Sequence, residues 1–144
     1  MAVFYKLFQD NRKSSLHPGS WYARAKMTDT VSIEQLAEIM QRNCTVKKAD
    51  ILAVIAELVE TMRDQLQSSK RVKLDGFGSF KIGLKTTGAE SAAKFSPTTH
   101  IQGMRVNFMP EVHIDKNKNR MVNFLTGCKV AELPKNNVDT TEQP

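Results

Sequence analysis

The chain has 144 residues, of which 40% are hydrophobic and 25% charged, a balance that suits one modest domain with terminal extensions. No apolar run approaches the roughly 18 residues of a membrane span, and the first residues lack the basic start, long apolar stretch and small-residue site of a secretion signal. The expectation is a cytoplasmic protein, and its 21 Lys and Arg against 15 Asp and Glu, a formal +6, favour polyanionic partners, with nucleic acid the commonest inside cells.

Residues 3–8, Val-Phe-Tyr-Lys-Leu-Phe, are rich in strand formers, and Trp21-Tyr22-Ala23-Arg24-Ala25 follows a loop with Asp10-Asn11, Ser14-Ser15 and Pro18-Gly19 turn chemistry. This reads as an N-terminal β-hairpin. Its aromatic residues Phe4, Phe8, Trp21 and Tyr22 suit either sheet packing or a platform on which bases stack. Ser32-Ile33-Glu34-Gln35 carries a capping-box signature, and Ile33, Leu36, Ala37 and Met40 recur at helical spacing. Asn43-Cys44 closes that helix, and Thr45 is the expected N-cap of a second running from about Val46 to Leu66. The apolar face of the second helix is wide enough to pack against more than one partner, such as a sister subunit.

Val72-Lys73-Leu74-Asp75 alternates as a half-buried strand does, Gly76-Phe77-Gly78 breaks it, and Ser79-Phe80-Lys81-Ile82 resumes it. The glycines suit a tight turn with Phe77 pointing into the core. Small and polar residues dominate from Gly83 to Gly103, as in a flexible excursion or a β-arm. Met104 to Pro110 alternates again as a third strand. A short helix is the expectation over Val112–Leu125, although Asp115-Lys116-Asn117-Lys118-Asn119-Arg120 is poor helix material. The segment from 126 to 144 reads as a disordered tail, its polar stretch from Pro134 to Pro144 most plainly so.

Charge is unevenly placed. Residues 1–31 carry five basic and two acidic side chains, residues 32–71 carry six of each, and residues 72–144 carry ten and seven. A neutral helical centre argues against a basic recognition helix and for strands or loops as the nucleic-acid-facing surface. No glycine-rich phosphate loop, GxSxG or HExxH is present. The acid pairs Glu34/Glu38 and Glu57/Glu60 sit at helical spacing and mark a solvated face. His17, His100 and His113 stand singly, and Cys44 and Cys128, outside any CxxC, are expected as small buried hydrophobes. No catalytic residue, cofactor, metal ion or small-molecule substrate is expected.

Two motifs then carry a resemblance. Val72-Lys73-Leu74-Asp75-Gly76-Phe77-Gly78-Ser79-Phe80 resembles the Val-x-Leu-x-Gly-Phe-Gly-x-Phe of the HU/IHF family of bacterial histone-like DNA-binding proteins. Val106-Asn107-Phe108-Met109-Pro110 resembles the Val-x-Phe-x-Pro that closes that family's arm. The strand pair before the helices is similar to the HU-like variants common in Bacteroidetes. The resemblance implies an α+β, HU/IHF-like fold: two helices and a three-stranded antiparallel sheet with a short arm, preceded by an extra β-hairpin. It implies a homodimer on double-stranded DNA in the nucleoid, with no membrane partner, and arms whose prolines wedge between base steps. The corresponding divisions are an extension over 1–31, an HU-like domain over 32–125 and a tail over 126–144.

The chain also departs from that pattern. It has no Arg-Asn-Pro arm tip, Pro97 is the sole proline of the excursion, Gly83 stands where a basic residue is expected, and Glu111 replaces the glycine after the motif proline. The expected DNA-contacting residues are Lys73, Lys81, Lys85, Lys94 and Arg105, each able to neutralise a phosphate. Lys70, Arg71, Lys116, Lys118 and Arg120 are second choices. Two readings stay open at this point: an architectural DNA-binding homodimer, and a dimerisation or protein-interaction module that kept the scaffold and lost its arm.

Overall fold

A computed structural model describes residues 1–133; the disorder expected over Pro134–Pro144 lies outside the described residues. The chain divides into two units, Ile33–Thr126 on the one hand and Met1–Ser32 with the segment from Gly127 on the other.

In the larger unit, helix α1 spans Ile33–Asn43 and α2 spans Lys48–Gln67. The second helix starts two residues later than the Thr45 cap implies. Its N-cap is Lys47, which caps with no side-chain bond, and the first-turn amide of Lys48 is satisfied from the other helix, donating to Gln41 Oε1 at 2.7 Å. The Lys48 ammonium reaches back to Glu38 at 2.8 Å and Glu34 at 3.5 Å, so the acid pair read as a solvated face ties the two helices together. Its hydrogen bond to Glu38 raises the Lys48 pKa and lowers that of Glu38.

Three strands follow: β3 (Val72–Leu74), β4 (Gly78–Thr86) and β5 (Ile101–Pro110), ordered β3-β4-β5 with both pairings antiparallel. The turn between β3 and β4 depends on its glycines. Gly76 has φ +79°, a region that costs any residue with a Cβ. A Cβ on Gly78 would lie 2.3 Å from the Met109 carbonyl oxygen, a backbone atom that cannot yield without moving β5. The Phe77 amide donates to the Leu74 carbonyl at 3.0 Å, and the Phe77 ring meets Phe80, Phe108 and Phe124 at centroid separations of 5.8, 4.9 and 5.0 Å. Such tilted ring pairs contribute about 0.5–1.5 kcal/mol each beyond their burial.

Glu111, read from sequence only as a missing glycine, clamps this turn. Its Oε2 accepts from the Gly76 amide at 2.6 Å and from Asn123 Nδ2 at 3.1 Å, and its own amide donates to the Phe77 carbonyl at 3.0 Å. The excursion after Gly83 is more ordered than its composition implies. Strands β4 and β5 extend to Thr86 and from Ile101, and the Thr87 amide donates to the His100 carbonyl at 2.8 Å. A 3-10 turn at Ala92–Lys94 and a four-residue helix α3, Pro97–His100, fill the tip. Pro97 occupies the first turn of α3, where its missing N–H costs nothing.

The helix expected over 112–125 is instead a hairpin of β6 (Val112–Ile114) and β7 (Arg120–Val122) followed by a 3-10 turn at Asn123–Leu125. The Asp115–Asn119 segment that weakens a helix makes the hairpin turn, with the Asp115 amide donating to the Asn119 carbonyl at 2.9 Å and Lys118 at φ +60°.

In the smaller unit, β1 (Val3–Gln9) pairs antiparallel with β2 (Trp21–Ala25) and parallel with β8 (Val130–Glu132). The expected hairpin is thus a three-stranded sheet, and residues 130–132 are a strand rather than part of a disordered tail. Asp10, 6% exposed, organises the loop between β1 and β2. Its carboxylate accepts from the Arg12 side chain at 2.9 and 3.0 Å and from the Arg12 amide at 3.1 Å, while its backbone pairs with Ser20 and Gly19. These bonds, those from Arg12 first and then one from Ser15, hold the Asp10 carboxyl well below the usual carboxylate range. Cys44 and Cys128 are exposed rather than buried, because each lies in a connection outside the helices and strands.

Gly78→Ala is expected to destabilise the larger unit by about 1–3 kcal/mol, whereas Gly88→Ala, whose added methyl meets nothing within 4 Å, should stay within about 0.5 kcal/mol of the parent in guanidinium denaturation. Asp10→Ala should speed hydrogen exchange at the Gly19 amide near neutral pH. Because the Asp10 pKa is depressed on folding, its contribution is present above the unfolded value near 3.8 and fades as pH falls below it. The difference between parent and variant should therefore narrow below about pH 4.

Candidate nucleic-acid interface

Strand alternation gives the β3-β4-β5 sheet two chemically different faces. The cross-strand pairs Phe80 and Phe108, Ile82 and Val106, and Leu84 and Met104 share one of them. The alternate positions share the other: Lys81 opposite Asn107, Gly83 opposite Arg105, Lys85 opposite Gly103, and Lys73 opposite Ser79. Lys73, Lys81, Lys85 and Arg105 are thereby brought to one polar face. Lys94 is not, since it belongs to the 3-10 turn at the tip.

Their electrostatic situations differ. The Lys73 ammonium lies 3.3 Å from Asp75 and 3.4 Å from Glu111, which together raise its pKa and already compensate its charge. Lys94 is ion-paired with Glu90, four residues earlier in the chain. Among the described residues, no carboxylate pairs with Lys81, Lys85 or Arg105, so their charge is available to a polyanion. Gly83, where a cation was expected, leaves room for one from the neighbouring strand. A Cβ there would lie 2.6 Å from Asn107 Nδ2 and 3.6 Å from Arg105 Nε, so side chains of β5 lie over the bare glycine.

The second-choice residues separate into two places. Lys70 and Arg71, at the join of α2 and β3, line one cleft of about 1020 Å³ with Lys81, Leu66 and Ile82. Lys116, Lys118 and Arg120 belong to the β6–β7 hairpin. Phe95 and Glu111 hold positions in the fold that the sequence does not assign to them. Phe95, 42% exposed at the tip, stacks on His100 at 5.1 Å, and the imidazole Nδ1 accepts from the Ser96 amide at 2.9 Å. No periodicity marks it. Among the described residues, no group of three or more His, Cys, Asp or Glu could hold a metal ion, and no helix is long and apolar enough to cross a membrane.

A mixed α+β unit with a cationic strand face and a Gly-Phe-Gly turn fits what the HU/IHF resemblance implies. The chain belongs to the family described as HU domain fused to wHTH, Ig, or glycine-rich motif, which matches residues 1–125. It is 32% identical over 85 residues to integration host factor subunit beta of Pseudoalteromonas translucida (strain TAC 125), a match covering 58% of this chain and 86% of that protein. The same subunit from Pseudoalteromonas atlantica (strain T6c / ATCC BAA-1087) is 31% identical, over 58% and 85% respectively. A crystal structure from Bacteroides vulgatus ATCC 8482, assigned there as a candidate bacterial DNA-binding protein, shares the fold with a TM-score of 0.62 at 11% identity. That likeness takes in 92% of this chain, which spans about half (48%) of the other.

Proposed function

We propose that this chain is an architectural protein of the bacterial nucleoid that binds duplex DNA as a homodimer, largely without regard to sequence. The observation that carries the reading is the polar face of the central sheet, where Lys81, Lys85 and Arg105 stand together with no carboxylate partner among the described residues. Cations at strand positions neutralise phosphates and release counterions, which supports affinity without base readout.

The dimer is supported by what one chain leaves uncovered. Leu36, Ile39 and Met40 on α1 and Val54, Leu58 and Val59 on α2 are exposed, as are Leu84, Met104, Val106 and Phe108 on the apolar face of the sheet. An open apolar groove of about 310 Å³ runs between α2 and that face, lined by Val59, Met62, Leu66, Phe80, Ile82 and Val106. Contiguous apolar surface of this kind is rare on a soluble monomer and marks an interaction site. At the arm, Phe95 is the large exposed apolar side chain available as a wedge between base steps, a role that the seat of Pro97 inside α3 leaves to it.

Affinity for random-sequence duplex should fall steeply with salt. The Lys81→Ala, Lys85→Ala, Arg105→Ala triple variant should lower the slope of log affinity against log salt by about 5 for the dimer, at roughly 0.9 for each phosphate that its two copies no longer neutralise. Lys73→Ala should change it by less, because two carboxylates already compensate that charge. An unchanged slope in the triple variant would place the interface elsewhere. No binding even at low salt would leave the protein-interaction module as the function.

A further inference from the structure

The smaller unit carries a second cationic cluster that the duplex-binding face does not use. In its sheet, Lys6 lies opposite Arg24 and Phe8 opposite Tyr22, so the four side chains share one face. Lys26 continues the series, its amide donating to the Phe4 carbonyl at 2.7 Å. The Phe8 and Tyr22 rings are 5.9 Å apart, and the Arg24 guanidinium sits 4.5 Å above the centre of the Phe8 ring. Arg24 thereby covers Phe8 and leaves Tyr22, 41% exposed, as the open ring. Beside it stands the loop that Asp10 organises, and loop and sheet together border an open cleft of about 980 Å³ lined by Phe8, Arg12, Leu16, His17, Tyr22 and Arg24 among others.

The charges in and beside this cleft are not equivalent; Lys6 shares the sheet face with Arg24 but lies outside the cleft's lining. Arg12 is held by Asp10 and largely compensated. Arg24 and Lys6 have no carboxylate partner among the described residues. An exposed ring flanked by uncompensated cations matches a ligand that combines a flat π-face with a regularly spaced anion. We infer that this cleft binds single-stranded nucleic acid, with one base stacked on Tyr22 and the adjoining phosphates neutralised by Arg24 and Lys6. Single strands fit and a duplex does not, because in a duplex both faces of each base are covered by neighbouring pairs. An acidic peptide would answer the charges and leave the ring idle.

The test uses the full chain and two fluorescent probes, an oligothymidylate of about 12 nucleotides and a random-sequence duplex, followed by anisotropy at low salt. Tyr22→Ala should weaken oligothymidylate binding about tenfold or more, the range expected for losing a stacking ring, and leave duplex binding unchanged. Tyr22→Phe should retain both. Arg24→Gln should lower the single-strand salt slope by about 0.7, the value for one phosphate contact. The Tyr22 effect should persist in the Lys81, Lys85, Arg105→Ala background, which separates this cleft from the duplex-binding face. The inference is overturned if oligothymidylate does not bind, if Tyr22→Ala binds it as the parent does, or if Tyr22→Phe loses it as fully as Tyr22→Ala. Displacement of the probe by polyglutamate at equal charge concentration would point to acidic peptides and would overturn it too.

Discussion

Apolar burial is the constraint on which the rest of this structure depends. Across the described residues, Ala37, Ile51 and Leu66 are the apolar side chains that a single chain buries. Ordering a chain costs about 1–2 kcal/mol per residue in backbone entropy, and burial at about 25 cal/mol per Å² of apolar surface is the main term set against it. Two helices and a sheet that keep so much of their apolar surface in water gain little of that term. The homodimer proposed above resolves the imbalance, since a second copy can cover α1, α2 and the face carrying Ile82, Leu84, Met104 and Val106. Under that proposal folding and association are one process, and the cationic face proposed for DNA belongs to a sheet whose other face would be the interface.

That division of labour follows from a period of two. Each residue step along β4 exchanges the apolar face for the cationic one, so a register slip of one residue would place Lys81 and Lys85 against the helices. Register is pinned where the chain turns. Gly78 tolerates the approach of the Met109 carbonyl, the phenylalanine cluster fixes the strands around Phe77, and Glu111 bonds the Gly76 amide. Glu111 also joins Asp75 in compensating Lys73. One substitution relative to the resembled motif thus both braces the turn and reduces the charge nearest to it.

The elements legible in the sequence were those with a local cause. Periods of 3.6 and 2 locate α1, α2, β3, β4 and β5, and glycine chemistry locates the turn at Gly76–Gly78. What was hidden depends on partners distant in sequence. Val130–Glu132 is three residues long and becomes a strand only by pairing with Val3–Tyr5. Lys48 draws its cap from Gln41, so Thr45 looked the better cap when read alone. The excursion after Gly83 was read from its small, polar composition, yet the strand pairing of Thr86 with Ile101 and the stack of Phe95 on His100 order it. The same limit applies to charge. Lys73, Lys81, Lys85, Lys94 and Arg105 look alike as letters, and only the fold separates the two that carry carboxylate partners from the three that have none among the described residues.

The most direct measurement is the mass and the thermal midpoint of the purified chain across a wide concentration range. Sedimentation equilibrium should return about twice the 16.2 kDa of one chain, and the unfolding midpoint should rise with protein concentration, as it does when folding is coupled to association. A 16.2 kDa species with a concentration-independent midpoint would contradict the account, because the apolar faces of the helices and sheet would then stay open to water without a partner.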